Sequence, residues 1–132
     1  MSASTEMGRA LLIAEYSVLI EDIATHVYVC TSHFESLDMP ICIKNRHNQM
    51  KDTFSIFLEN EPNCVVAGDF NFDNIEEKTI NISQFGFEDI VKDIPWTMPK
   101  TPEFVQWQPD KICMPVLNDE QKLKRHLIPS NV

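Results

Sequence analysis

A chain of 132 residues is one domain's worth or less, so two full cores do not fit. With 43% hydrophobic residues, 23% charged residues and three glycines, it reads as a packed globular chain and not as a disordered or fibrous one. The formal charge of −9 argues against a general polyanion binder, because affinity for phosphate backbones comes mostly from Lys and Arg. Any contact with nucleic acid must then be focal, and the surplus carboxylates suit a divalent cation, which prefers oxygen ligands.

Cys30, Cys42, Cys64 and Cys113 are spaced too irregularly for a C-x-x-C zinc site, and Cys30 and Cys64 sit inside apolar runs. Reduced, mostly buried thiols are expected. The longest unbroken apolar stretch, Ala10 to Ala14, is far too short to span a bilayer, and no secretory leader is seen. The expectation is a soluble, intracellular protein that is not secreted and has no membrane partner.

In chain order, residues 1–7 read as a disordered lead-in and residues 8–132 as one domain. The stretches ALLIAEYSVLI and HVYVCTS are rich in β-branched and aromatic residues and are separated by Glu21-Asp22, which predicts a hairpin whose second strand ends near Thr31. Ile43, Met50, Phe54, Phe57 and Leu58 fall at helical spacing, predicting a helix over 43–59, closed by Pro62. A strand over Cys64 to Gly68 follows, so the middle reads strand, helix, strand, which lays a helix over one face of a sheet.

Asn74 with Glu77 resembles a capping box and predicts a short helix there. FGFEDIVKDI carries room for one more short element. Five prolines between Pro95 and Pro115 exclude a central strand or long helix over most of that span, predicting an irregular loop pinned by Trp96 and Trp107. The tail NDEQKLKRHLIPSNV reads as a helical turn and an apolar stub. Lys122, Lys124 and Arg125 within it read as a solvated face or a phosphate contact.

The run CVVAGDFNFD ends an apolar strand in Gly68, Asp69 and Asn71. If extended geometry persists through Phe70, Asp69 and Asn71 project the same way, at the carboxyl end of a strand, where open α/β sheets bind ligands. A carboxylate beside an amide can orient a water and hold a phosphoryl oxygen. Gly, Asp and Asn also make ordinary turns, which is the simpler account of these residues taken alone.

A second constellation bears on that choice. YVCTSHFES ends another apolar strand in Thr31, Ser32, His33, Glu35 and Ser36, and NRHNQM places Arg46 and Gln49 three apart on the predicted helix. With Gly8-Arg9 before the LLIAE strand, T-S-H-x-E-S at 31–36, R-x-x-Q at 46–49 and G-D-x-N at 68–71, the sequence resembles the endonuclease/exonuclease/phosphatase (deoxyribonuclease I-like) superfamily. Within it, the chain is most similar to the tyrosyl-DNA phosphodiesterase 2 branch. The resemblance is strong over residues 8–73 and thin beyond.

The resemblance implies a Mg²⁺- (or Mn²⁺-) dependent phosphodiesterase acting in DNA repair on DNA with a 5′-phosphotyrosyl adduct. Asp69 would position or deprotonate the water and touch the metal, Asn71 would contact the phosphate, and His33 would face the scissile phosphate. Asp110, in PDKI, matches the acid of a late D-R-I strand motif. Glu35 is either an acid supporting His33 or a solvated loop residue. Arg46 either hydrogen-bonds the T-S-H loop or covers apolar surface. His26, His47 and His126 suggest no partner.

The sequence also departs from the pattern. The family's T-W-N asparagine and L-Q-E metal-binding glutamate belong before the region matched here, its S-D-H motif either lies just past Val132 or is decayed to Ser130-Asn131, and the arginine expected after G-D-x-N is replaced by FDNIEE. Without its main carboxylate ligand, a Mg²⁺ site at Asp69 is weakened. The expected fold class is therefore α/β: a partial deoxyribonuclease I-like α/β/β/α sandwich, roughly its C-terminal half. Such a piece leaves sheet surface uncovered, predicting instability, a dimer or a covering partner. A catalytically inactive, truncated binding module and a plain protein-interaction domain stay open as alternatives.

Overall fold

The structure, a computed structural model, describes residues 5–57, 63–94, 100–102 and 109–116. Two long strands, β1 (Leu11–Ile20) and β2 (Ile23–His33), form the expected antiparallel hairpin, in register from Leu11↔Ser32 to Ile20↔Ile23. Its two-residue turn places Glu21 (φ 49°) and Asp22 (φ 65°) in the left-handed region, the backbone that matches the twist of a tight hairpin. Pairing carries β2 on to His33, beyond the expected end at Thr31.

Helix α1 (Pro40–Phe57) begins three residues before the predicted start, because Pro40 has the fixed φ and the missing N–H that suit a first helical position. Residues 58 and 59 lie outside the described residues. The buried stripe of α1 is mostly apolar in its second half, at Met50, Phe54 and Phe57; its first half buries Asn45, Arg46 and Gln49 beside Cys42. Helical periodicity of apolar residues could not show that polar half.

Strand β3 (Cys64–Asp69) returns parallel to β2, completing the strand, helix, strand unit. Helix α2 (Asn74–Thr79) is capped one residue earlier than expected, by Asp73 with Glu76 in place of Asn74 with Glu77. Asp73 keeps an extended backbone, and its Oδ1 accepts from the N–H groups of Ile75 (2.8 Å) and Glu76 (2.7 Å), while Glu76 Oε2 accepts from the Asp73 N–H (3.0 Å). The FGFEDIVKDI region supplies β4 (Phe87–Asp89), preceded by a 3₁₀ turn (Ile82–Phe85).

Strand β5 (Asp110–Pro115) is interior to the five-stranded sheet, whose order is β1-β2-β3-β5-β4. The proline-rich span thus yields a strand where the chain runs free of proline between Pro109 and Pro115. The expected loop around Trp96 and Trp107, and the tail from 117 to 132 with Lys122, Lys124, Arg125 and His126, lie outside the described residues.

One face of the sheet is covered. Met50, Phe54 and Phe57 of α1 pack with Cys30, Cys64, Val66 and Cys113 from β2, β3 and β5, and Phe34, Phe70, Phe72 and Phe87 complete the core. Phe54 sits at its centre, with ring centroids 4.6 Å from Phe87, 5.6 Å from Phe85 and 6.1 Å from Phe70. All four cysteines are buried. Among the described residues no helix is long and apolar enough to cross a membrane.

Candidate active site

Parallel pairing of β2 with β3 sets His33 opposite Asp69, and antiparallel pairing of β3 with β5 sets Asp69 opposite Asp110. Three candidate residues from distant parts of the sequence therefore form one row across the end of the sheet. His33 Nε2 lies 3.4 Å from Asp69 Oδ2; His33 is half exposed and Asp69 partly buried. Burial pushes the Asp69 carboxyl above its ordinary 3.8 and the charge of Asp110 adds to this, against the Asn71 N–H and the charges of His33 and Arg9, which favour the carboxylate.

The G-D-x-N segment does not stay extended. Asn71 takes φ 54°, and its N–H donates to Asp69 Oδ1 at 2.8 Å, forming an Asx turn. The expectation that Asp69 and Asn71 project side by side is thereby corrected. Asn71 is buried, and its Nδ2 donates to the Phe34 carbonyl at 2.9 Å. Together with the Phe34 N–H donating to the Asp69 carbonyl (2.9 Å), this ties the T-S-H loop to the G-D-x-N turn. Asp69 Oδ1 is spent on the turn, leaving Oδ2 toward His33.

Glu35 is fully buried, not solvated. It accepts from Thr5 Oγ1 (2.6 Å) and Gln49 Nε2 (3.0 Å), while its own N–H donates to Gln49 Oε1 (2.9 Å). Burial alone would raise its pKa, but the hydrogen bonds from Thr5, Gln49 and the Met7 backbone, with the Arg9 charge, outweigh it and hold the carboxyl below 4.5. The R-x-x-Q glutamine thus fixes the backbone two residues beyond His33. Thr5, inside the expected lead-in, belongs to the same network and also accepts from the Arg9 N–H (3.0 Å).

Arg46 is also fully buried. Its Nε donates to Glu76 Oε1 (2.8 Å), its Nη2 to Glu76 Oε2, and its Nη1 to the Leu37 carbonyl (2.6 Å), with Asp38 at 3.3 Å. It therefore holds the loop just after T-S-H-x-E-S, but as part of a buried ion pair with α2 and not as a surface group. His47 joins it through Glu76 Oε1 (2.7 Å), and His26 pairs with Glu15 across the hairpin (2.7 Å).

Two contributors escaped the sequence reading. Lys111, on β5 next to Asp110, is buried against Glu77 (2.5 Å) and Asp89 (3.5 Å), 5.6 Å over the Phe72 ring. Strand alternation beside Cys113 was the available signal. Glu76 was overshadowed by Glu77, and only the one-residue shift of the cap turns it inward.

A divalent cation needs several oxygen ligands. Among the described residues no three His, Cys, Asp or Glu side chains gather as a metal-binding group, so the row at the sheet end does not by itself make up a Mg²⁺ site. Asp69 offers one carboxylate oxygen toward such a site.

The backbone is similar to solved structures of TDP2 (tyrosyl-DNA phosphodiesterase 2) from D. rerio. One is complexed with a single-strand DNA product (TM-score 0.58, 20% identity, 87% of this chain and 50% of that chain). Another is humanized by 14 mutations (TM-score 0.59, 20% identity, 88% of this chain and 49% of that chain). The chain therefore has a mixed α/β fold of the deoxyribonuclease I-like kind and spans about half the length of the structures it matches. No protein-family model and no curated protein sequence matches it.

Proposed function

We propose that this chain, with the fold of about half of TDP2, supplies one sheet and part of the active site of a phosphodiesterase that hydrolyses 5′-phosphotyrosyl-DNA links in DNA repair. The observation that carries the reading is the pairing of His33 with Asp69, 3.4 Å apart and open to solvent at the carboxyl ends of two parallel strands. A raised Asp69 pKa suits a carboxylate that takes a proton from an attacking water, and His33 beside it suits developing charge on the phosphoryl group. Asn71 holds the turn through one amide hydrogen, leaving the other for a phosphoryl oxygen.

In this reading Asp110 tunes Asp69 by its charge, while Glu35 and Arg46 position the loop that carries His33. Mg²⁺ or Mn²⁺ would take Asp69 as one ligand and would neutralise phosphoryl charge when bound. The protein would work in the nucleus and/or cytoplasm, with adducted DNA as its partner.

The test is hydrolysis of a 5′-phosphotyrosyl oligonucleotide with Mg²⁺, comparing the unmodified chain with Asp69→Ala. Release of tyrosine by the former and not by the latter is expected; equal rates for both would sink the reading. A second reading, a catalytically silent half domain serving as a binding module, is favoured by the uncovered sheet face. In that case neither protein turns over and both bind the oligonucleotide equally.

A further inference from the structure

The face of the sheet opposite α1 is apolar and open. Strand alternation and register place Leu12, Tyr16 and Val18 of β1, Val29 of β2, Val65 of β3 and Ile112 of β5 on it. Leu12 is 68% exposed, Tyr16 54% and Val29 41%; on the covered face Cys30, Val66 and Cys113 of the inner strands are at most 1% exposed, and the large apolar side chains exposed there are Ile13 (40%) and Leu19 (75%) of the edge strand. Apart from the Tyr16 hydroxyl, the charged and titratable groups that the described strands place on the open face are the row His33, Asp69 and Asp110 at one end and Glu88 on the edge strand β4. Apolar exposure on this scale marks an interaction surface.

We infer that in the isolated chain this face docks on the same face of a second copy, forming a two-sheet sandwich. A sheet buries its apolar face against another layer, and the described residues form one sheet, while the structures the chain matches are about twice as long. Four strands ~4.8 Å apart and roughly 20 to 30 Å long offer a face on the order of 500 Å² in projection. That is the scale on which standard interfaces bury about 800 Å² of accessible surface per partner.

Charge distribution permits the self-contact despite the net −9 of each chain. A two-fold axis lying across the strands sends the two Asp69–Asp110 rows to opposite ends of the sandwich, so the carboxylates never oppose one another. Nothing charged then lies at the centre of the contact. The inference rests on the fold alone and stands or falls separately from the phosphodiesterase reading.

Light scattering on the size-separated full chain at about 10 to 100 µM tests it. The expected mass is twice the 15.2 kDa of one chain. Val29→Lys with Tyr16→Lys should halve it, while Ile75→Lys, on an exposed residue of α2, should leave it unchanged. Because the lysine variants can fail to fold, a second measurement uses single cysteines. All four native thiols are buried, so Val29→Cys should label with a maleimide dye at least tenfold more slowly than Ile75→Cys. A monomer at about 100 µM, a dimer that keeps its mass with both lysines in a folded chain, or equal labelling at the two positions would each overturn the inference.

Discussion

A methyl group on the α-carbon of Gly68 would lie 1.9 Å from the carbonyl oxygen of Ser32, its partner on the neighbouring strand. The glycine that opens G-D-x-N is thus required by close approach of two backbones, which brings Asp69 up against His33. Gly68→Ala should cost about 3 kcal/mol, at the upper end of overpacking penalties. Gly86→Ala is the comparison: at φ 75° with no neighbour within 4 Å it meets only backbone strain, about 1 kcal/mol. Urea unfolding of both variants measures the difference, and equal losses would contradict the steric account.

Asp69→Asn keeps a side-chain oxygen for the Asn71 N–H and removes the charge. The circular dichroism spectrum should be unchanged, while hydrolysis of a 5′-phosphotyrosyl oligonucleotide should fall by about 10² or more, the range for loss of a general base. His33→Ala should lower the rate with no loss of thermal stability, since the imidazole is half exposed.

Removing one partner of the Arg46–Glu76 pair leaves the other buried and uncompensated. Arg46→Met should therefore destabilise by about 3 to 5 kcal/mol in chemical denaturation. Burial would raise the Glu76 pKa, but Arg46, the Asp73 N–H and His47 hold it below 4.5. A carboxylate depressed in the folded state gives stability that is present above its unfolded value and lost as pH falls through the folded one. Acid unfolding should begin below about pH 4.5, where Glu35 acts in the same direction, and Glu76→Gln should flatten that limb. Asp69 runs the opposite way: its folded pKa is raised, so its protonation favours the folded state as pH drops.

Burial pushes the thiols of Cys30 and Cys113 up to about 12. Neither should react with Ellman's reagent at pH 8 until denaturant is added, because the thiolate is the attacking species. Stoichiometric reaction of native protein would mean that the core under α1 opens readily.

The hairpin, α1 and β3 were legible because each depends on nearby residues: β-branched alternation on either side of Glu21-Asp22, helical spacing from Met50 to Phe57, and a short apolar run ending in glycine. The α2 cap was missed by one residue, because Asp73 and Asn74 are both good capping residues and only backbone geometry decides between them. The polar half of the α1 stripe was illegible for a different reason. Arg46 and Gln49 are held by Glu76 and Glu35, which lie 30 and 14 residues away in sequence.

Sequence alone marked His33 and Asp69 as candidates lying just past the expected ends of two apolar strands, near Thr31 and at Gly68, since local patterning shows roughly where an apolar run gives way to polar residues. Whether those ends meet depends on strand order and register, which arise only when α1 folds over the sheet and β5 inserts beside β3. Tertiary structure therefore decided that His33, Asp69 and Asp110 share one row, that Asn71 turns inward to Phe34, and that Arg46 serves Glu76. Long-range pairing settles such contacts, and no short stretch of sequence encodes it.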